Sequence, residues 1–284
     1  MKINKTKKLA GQKSSRYWNI PAVWVLGLII LGCIFADVIA PKNASYMDMI
    51  NTLRTPCGEF LFGTDTLGRD IWSGVWHGGR LSIAIGLVST LISTFIAVVY
   101  GAISGMASDT VDTIMMRAAE IVVSIPGLLL VVFVQAMLGK PNPASIAIVI
   151  GVTGWPSIAK VVRMEVRQLR NSEFILVSKA MGGSFGYILR RHLLPNFVPS
   201  IMFMVIMNIR GAIASESTLS FMGLGLPIEN VSWGSMLSLS QNALTSGAWW
   251  VALIPGLVLV IFLMALTDIG NRYRAVSSHR ESNL

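Results

Sequence analysis

Residues 81–106 read LSIAIGLVSTLISTFIAVVYGAISGM, without a single Asp, Glu, Lys or Arg. A stretch of ~20 apolar residues crosses the ~30 Å of hydrocarbon in a bilayer at ~1.5 Å per residue. In lipid the backbone polar groups must be satisfied within the segment, so the stretch is predicted to be a spanning α-helix. Further runs lie on both sides of it. Before it is one from about Ile20 to Ala40. After it come Ala118–Leu138, Ala144–Val162, Phe197–Ser215 and Trp249–Ile269. The expected fold is therefore all-α, a polytopic membrane protein with six transmembrane helices.

Composition agrees. The 284 residues are 53% hydrophobic and 13% charged, with mean hydropathy +0.64, where a soluble chain carries ~25% charge. The net charge is +9. The basic residues lie between apolar runs rather than in a patch interleaved with aromatics, so nucleic acid is not the expected partner; the lipid bilayer is.

The runs divide the chain into a basic tail, 1–17, a first helix, 18–40, and a polar connection, 41–80. A helical unit, 81–270, follows with a charged segment at 163–196, then a short tail, 271–284. The first run is longer than the ~7–15 residues of a signal-peptide core and lacks a small-x-small exit, so it reads as a retained helix. Six spans with the N-terminus inside place 17 of the 23 Lys and Arg on one side, including seven within 160–195. The excess of basic residues on cytoplasmic loops puts both termini and 163–196 in the cytoplasm. Trp18, Trp249 and Trp250 sit at run ends, where amphipathic rings favour the membrane interface.

Motifs for chemistry are sparse. There is no G-x-x-x-x-G-K-[ST] phosphate loop and no H-E-x-x-H. His77, His192 and His279 are far apart, and Cys33 and Cys57 form no CxxC pair; no metal site and no cofactor is expected in this chain. Gly182-Gly183-Ser184-Phe185-Gly186 matches G-x-S-x-G, but helical flanks do not suit a nucleophile elbow, which needs a strand before it. Met202, Met204 and Met207 read as ordinary apolar packing rather than a soft-metal path. Arg210 and Glu216 are ionisable groups in or beside a span. They mark either a translocation pathway or subunit interface, or a structural pair.

The segment 163–196 carries most information. Ser172 to Met181 is predicted as a short helix, with Ser172 at the N-cap and Glu173 in the first turn. Phe174, Val177, Ser178 and Met181 share a face at i, i+3, i+4, i+7 spacing. Gly182-Gly183 stops the helix. A second piece carries Tyr187 to Arg191 and is expected to end at Pro195-Asn196. A short amphipathic helix held between two spans suits either a groove in a soluble partner or the inner leaflet.

These residues resemble a known family. Glu173-Phe174-x-x-x-Ser178-Lys179-Ala180-x-Gly182 with Arg191-His192-x-x-Pro195-Asn196 is similar to the EAA loop of permease subunits in binding-protein-dependent ABC importers. Gly63-Thr64-Asp65-x-x-Gly68-Arg69-Asp70, Gly78-x-Arg80-Leu81-Ser82, Glu216-x-x-Leu219-Ser220-Phe221-Met222-Gly223-Leu224-Gly225, Trp233-Gly234-x-Met236-Leu237 and Pro255-Gly256 are similar to the second permease of the dipeptide/oligopeptide/nickel group. The matches cover most of 18–274. There are departures: Leu176-Val177-Ser178 replace Glu-Ala-Ala, His192 replaces an isoleucine, and Asn271 and Ala275 stand where aspartates are usual.

The resemblance implies a type I ABC importer permease fold in a bacterial cytoplasmic (inner) membrane. It implies a second homologous permease subunit, one or two cytoplasmic ATPase subunits that carry ATP and Mg, and an extracytoplasmic substrate-binding protein. The 172–182 helix would be the coupling helix. Phe174 would insert into the ATPase, Ser178 and Ala180 would allow close approach, and Gly182 would stop the helix; Glu173, Pro195 and Asn196 belong to the same surface. The implied cargo is di- or oligopeptide, with nickel or a metal chelate as the alternative. A self-contained channel or proton-coupled carrier would instead need an intramembrane chain of ionisable groups.

Overall fold

The computed structural model describes residues 21–281. The basic tail 1–17, Trp18 and the start of the first predicted helix lie outside the described residues, as do the last three of the C-terminal tail. Among the described residues the chain is helical, with one isolated bridge between Thr64 and Asp70.

The first predicted run holds α1, Pro21–Ile34, continued by a short α2, Ala36–Ile39. The long α3, Ile71–Met106, has 36 residues, about 54 Å at 1.5 Å each, so it projects beyond the hydrocarbon. It begins at Ile71 rather than Leu81 because Asp70 caps it, its Oδ2 accepting from Ser73 N at 3.1 Å and Ser73 Oγ at 2.7 Å. From α3 the side chain of Arg80 turns back to α1. Its guanidinium donates to Cys33 O, Ile34 O and Asp37 Oδ2, each at 3.0 Å. The carbonyls left over at the end of α1 are thereby satisfied.

The third and fourth runs are each broken by proline. α4, Asp109–Ser124, and α5, Gly127–Leu138, meet at 90°, with Pro126 at the break. α6, Pro143–Gly154, and α7, Pro156–Leu169, bend by 43° at Trp155-Pro156. Proline has no N–H for the helical ladder and its ring crowds the preceding turn. By length and composition three helices are long and apolar enough to span, or five if each bent pair is one span; α1 has 14 residues and its predicted start is not described.

Next come α8, Glu173–Ala180, and α9, Phe185–Ile188. A π turn, Leu189–Leu193, leads without a break into α10, Leu194–Phe221. Pro195 was expected to end a helix here. It lies instead in the first turn of α10, where no intrahelical donor is required. The interval between the fifth and sixth apolar runs holds a short helix, α11, Trp233–Thr245, with Trp233 fully buried. The last helix is α12, Trp250–Glu281. Trp250 does not lie at the lipid interface as expected. It is buried, and its Nε1 donates to Thr64 O at 3.2 Å.

The centre of the bundle is α3. Ser82, Gly86, Ser89, Ser93, Ala97, Gly101 and Ser104 recur at helical spacing and all are buried. Small side chains let backbones approach where lipid supplies no hydrophobic drive between helices. A Cβ on Gly101 would lie 2.6 Å from Ala159 O of α7. Gly101→Val is expected to cost about 1–3 kcal/mol through overpacking, seen as a lower thermal midpoint in detergent. Gly127→Ala, where a Cβ meets nothing within 4 Å, should leave the midpoint unchanged. Equal midpoints for both variants would refute the close packing of α3 on α7.

Candidate functional site

One end of the bundle carries the basic segment 163–193; the other carries the folded connection 41–70. They are called the basic end and the knot end.

At the basic end α8 is anchored by one apolar side chain. Ile175 is fully buried and, with Ile188 and Leu193, joins the cluster of Val162, Val166 and Phe197. The opposite face is uncovered: Phe174, Val177 and Met181 are all exposed. Gly182 has φ +82°, a left-handed conformation open to glycine, and Gly183 N donates to Ser178 O at 2.9 Å. The chain therefore reverses and brings Tyr187 and His192 back toward α8. The His192 ring lies 5.9 Å from Phe174 and 5.8 Å from Tyr187. Between them is an open hollow of about 720 Å³ lined by Phe174, Val177, Ser178, Met181, Gly182 and His192 among others.

Of the predicted residues, Phe174, Ser178 and Gly182 come together around this hollow. Glu173 and Ala180 are exposed on α8 but do not line it. Pro195 and Asn196 lie farther along, and Asn196 Nδ2 donates to His192 O at 2.6 Å. Ser172 occupies the N-cap position, but its side chain does not cap; its Oγ donates to Leu169 O at 2.6 Å. Ser184 caps α9, accepting from Tyr187 N at 3.4 Å. No strand precedes it, so the G-x-S-x-G match has no elbow geometry.

The basic end also carries an ion cluster. Asp112 of α4 is buried and pairs with Arg163 and Arg167 of α7, and Ser104 Oγ donates to it. Arg167 also reaches Asp109, and Arg170 donates to Ala107 O at 3.2 Å. The cluster locks the α3–α4 corner to the helix that leads into α8. It was not singled out in the sequence, although Asp109 and Asp112 at i, i+3 facing Arg163 and Arg167 at i, i+4 carried the signal.

Toward the knot end, Glu216 is fully buried. Ser232 Oγ donates to it at 2.8 Å, Ser220 at 3.0 Å, Ser82 at 3.2 Å and Ser217 at 3.3 Å. Four hydroxyls from α3, α10 and the start of α11 thus surround one carboxylate. Arg210 is exposed and forms no ion pair with it. Six residues apart on a helix places the two about 120° apart, which rules out the direct pair considered from sequence.

In the knot, Asp65 Oδ1 accepts from Leu67 N at 2.8 Å and Arg69 N at 2.9 Å. Burial pushes the Asp65 carboxyl up, while these two N–H groups and the Arg69 charge oppose the shift. Among the described residues no cluster of three His, Cys, Asp or Glu side chains comes together, and Cys33 and Cys57 are unpaired.

Two stability outcomes follow from these contacts. Asp112→Ala removes the partner of two half-buried guanidiniums and is expected to cost about 1–3 kcal/mol, partly restored by Arg163→Met in the same chain. Ser232→Ala removes a donor to a buried carboxylate and should cost about 1.5–3 kcal/mol. Thermal unfolding in detergent reads both, and unchanged midpoints would mean the contacts are not formed.

A family model described as "Binding-protein-dependent transport system inner membrane component" matches residues 97–274. The chain is 32% identical over 249 residues to the dipeptide transport system permease protein DppC of Bacillus subtilis, covering 88% of this chain and 78% of that protein. It is 36% identical over 236 residues to the oligopeptide transport system permease protein OppC of the same organism, covering 83% and 77%. A solved structure, described as an inward facing conformation of the MetNI methionine ABC transporter, aligns with a TM-score of 0.55 at 20% identity. It covers 72% of this chain and 96% of that one, and the likeness concerns the fold.

Proposed function

Since the chain belongs to the family of binding-protein-dependent transport system inner membrane components, we propose that it is the second permease subunit of an ATP-driven peptide importer. The observation that carries this reading is the uncovered hollow on α8, an apolar face presented by a helix rigidly seated on the bundle. A surface of that kind serves a protein partner: an aromatic anchor supplies affinity and charges at the rim supply orientation. Phe174 is the anchor, His192 and Tyr187 complete the seat, and Lys179, Arg190 and Arg191 are the exposed rim.

On this reading the basic end and both termini are cytoplasmic, in keeping with the distribution of Lys and Arg. Two ATPase chains dock there, one on this subunit and one on a homologous permease. ATP and Mg are bound by those chains. Closure of the ATPase pair moves α8, and the ion cluster at Asp112 passes the movement to the α3–α4 corner as a rigid-body switch between two states. An extracytoplasmic binding protein delivers cargo at the knot end. The relatives described above are named for dipeptides and oligopeptides, which favours peptide over nickel or a metal chelate.

Phe174→Ala tests this reading. Loss of a central aromatic anchor costs about 2 kcal/mol or more, roughly thirtyfold in affinity. The variant chain should insert normally, lose ATPase subunits on purification in mild detergent, and lose uptake in proportion. Undiminished co-purification and uptake would remove α8 as the docking helix. A wild-type chain that purifies alone and moves solute in liposomes without ATP would replace the importer by a channel or carrier.

A further inference from the structure

Arg69 is 5% exposed. Its Nη1 donates to Ile228 O at 2.8 Å, but its Nε and Nη2 are buried without any partner. Among the described residues it forms no ion pair. One oxygen of each nearby carboxylate is committed elsewhere. Asp65 Oδ1 accepts two backbone N–H groups, and Asp70 Oδ2 caps α3.

Nε and Nη2 form one edge of the planar guanidinium, two parallel donors with the spacing of a carboxylate's oxygens. Burying such an edge without a partner is costly, so the edge is suited to a ligand. Arg69 and Asp70 line a cavity of about 250 Å³ at the knot end, under the connection 222–232. Asp70, which also lines this cavity, has its Oδ1 buried without a partner.

We propose that the Nε/Nη2 edge of Arg69 is a carboxylate-binding site at the extracytoplasmic face, closed here beneath residues 222–232 and exposed when that connection lifts. A terminal carboxylate with the amide N–H beside it offers both missing partners, an acceptor pair for Arg69 and a donor for Asp70. The carboxylate comes either from the transported solute or from an acidic side chain of the delivering protein. It binds the open state and not the closed one, so it shifts the outer face toward opening by its difference in affinity. The inference rests on the importer reading, which supplies the opening.

The test uses the purified complex in lipid nanodiscs, trapped with ATP and orthovanadate. Binding of radiolabelled trialanine and of trialanine amide is compared in wild type and Arg69→Lys, which keeps the charge and loses the two-donor edge. About tenfold tighter binding of the acid by trapped wild type, absent without nucleotide and abolished in Arg69→Lys, is expected if the solute is the source. If acid and amide bind alike but affinity for the purified binding protein falls about tenfold in Arg69→Lys, the carboxylate belongs to that protein. No dependence on Arg69 in either assay overturns the site. Should Arg69→Lys fail to assemble, phenylglyoxal labelling of Arg69 in the wild type, read by mass spectrometry, decides. Protection by trialanine or by the binding protein supports the site, and equal labelling throughout overturns it. A wild-type preparation without ATP hydrolysis strikes the importer reading and with it the opening on which the site depends, an outcome distinct from hydrolysis that proceeds with no dependence on Arg69.

Discussion

The close approach of backbones along α3 underlies the rest of the molecule. In lipid there is no water to drive helices together, so contact must come from packing and from hydrogen bonds. The buried row of Ser, Gly and Ala on α3 makes a shallow trough. α6 and α7 lie in it, α10 crosses it near Glu216, and α1 is tied to its knot end by Arg80. The Asp112 cluster closes its other end. Widening that trough would disturb both the seat of α8 and the serine ring around Glu216, although the two lie at opposite ends of the bundle.

The longest apolar helices were legible because membrane insertion imposes a simple rule, a long stretch with few charges. The breaks at Pro126 and Pro156 were only half legible. A proline announces that the ladder is interrupted, but whether the chain bends by 43° or 90° depends on what packs around it. α11 was not legible at all. Its serines look polar in sequence, yet Ser232 and Ser235 are buried because Glu216 and neighbouring backbone groups accept or supply their hydrogen bonds. A buried carboxylate thus turned an apparent loop into part of the core.

α8 shows the same division. Its apolar spacing was readable, and the structure gathers Phe174, Val177, Ser178 and Met181 about one hollow. The contribution of His192 was not, because it depends on the reversal at Gly182 and on the path of the chain after α9. The same holds for Arg69 and Glu216. Neighbouring residues in sequence gave no sign that one would be left unpartnered and the other ringed by hydroxyls from three elements.

The π turn at Leu189–Leu193 has a consequence for how this chain tolerates change. A π turn accommodates one residue more than an α turn, and one residue of helix is about 100° of rotation. A lineage that lost a single residue here would retain every span and the apolar pattern of α8, yet the hollow would point to a different side of the bundle. Leu193 within the turn and Ile175 on α8 share one buried cluster, so an insertion or deletion in this short stretch changes both the aim of α8 and the packing that seats it.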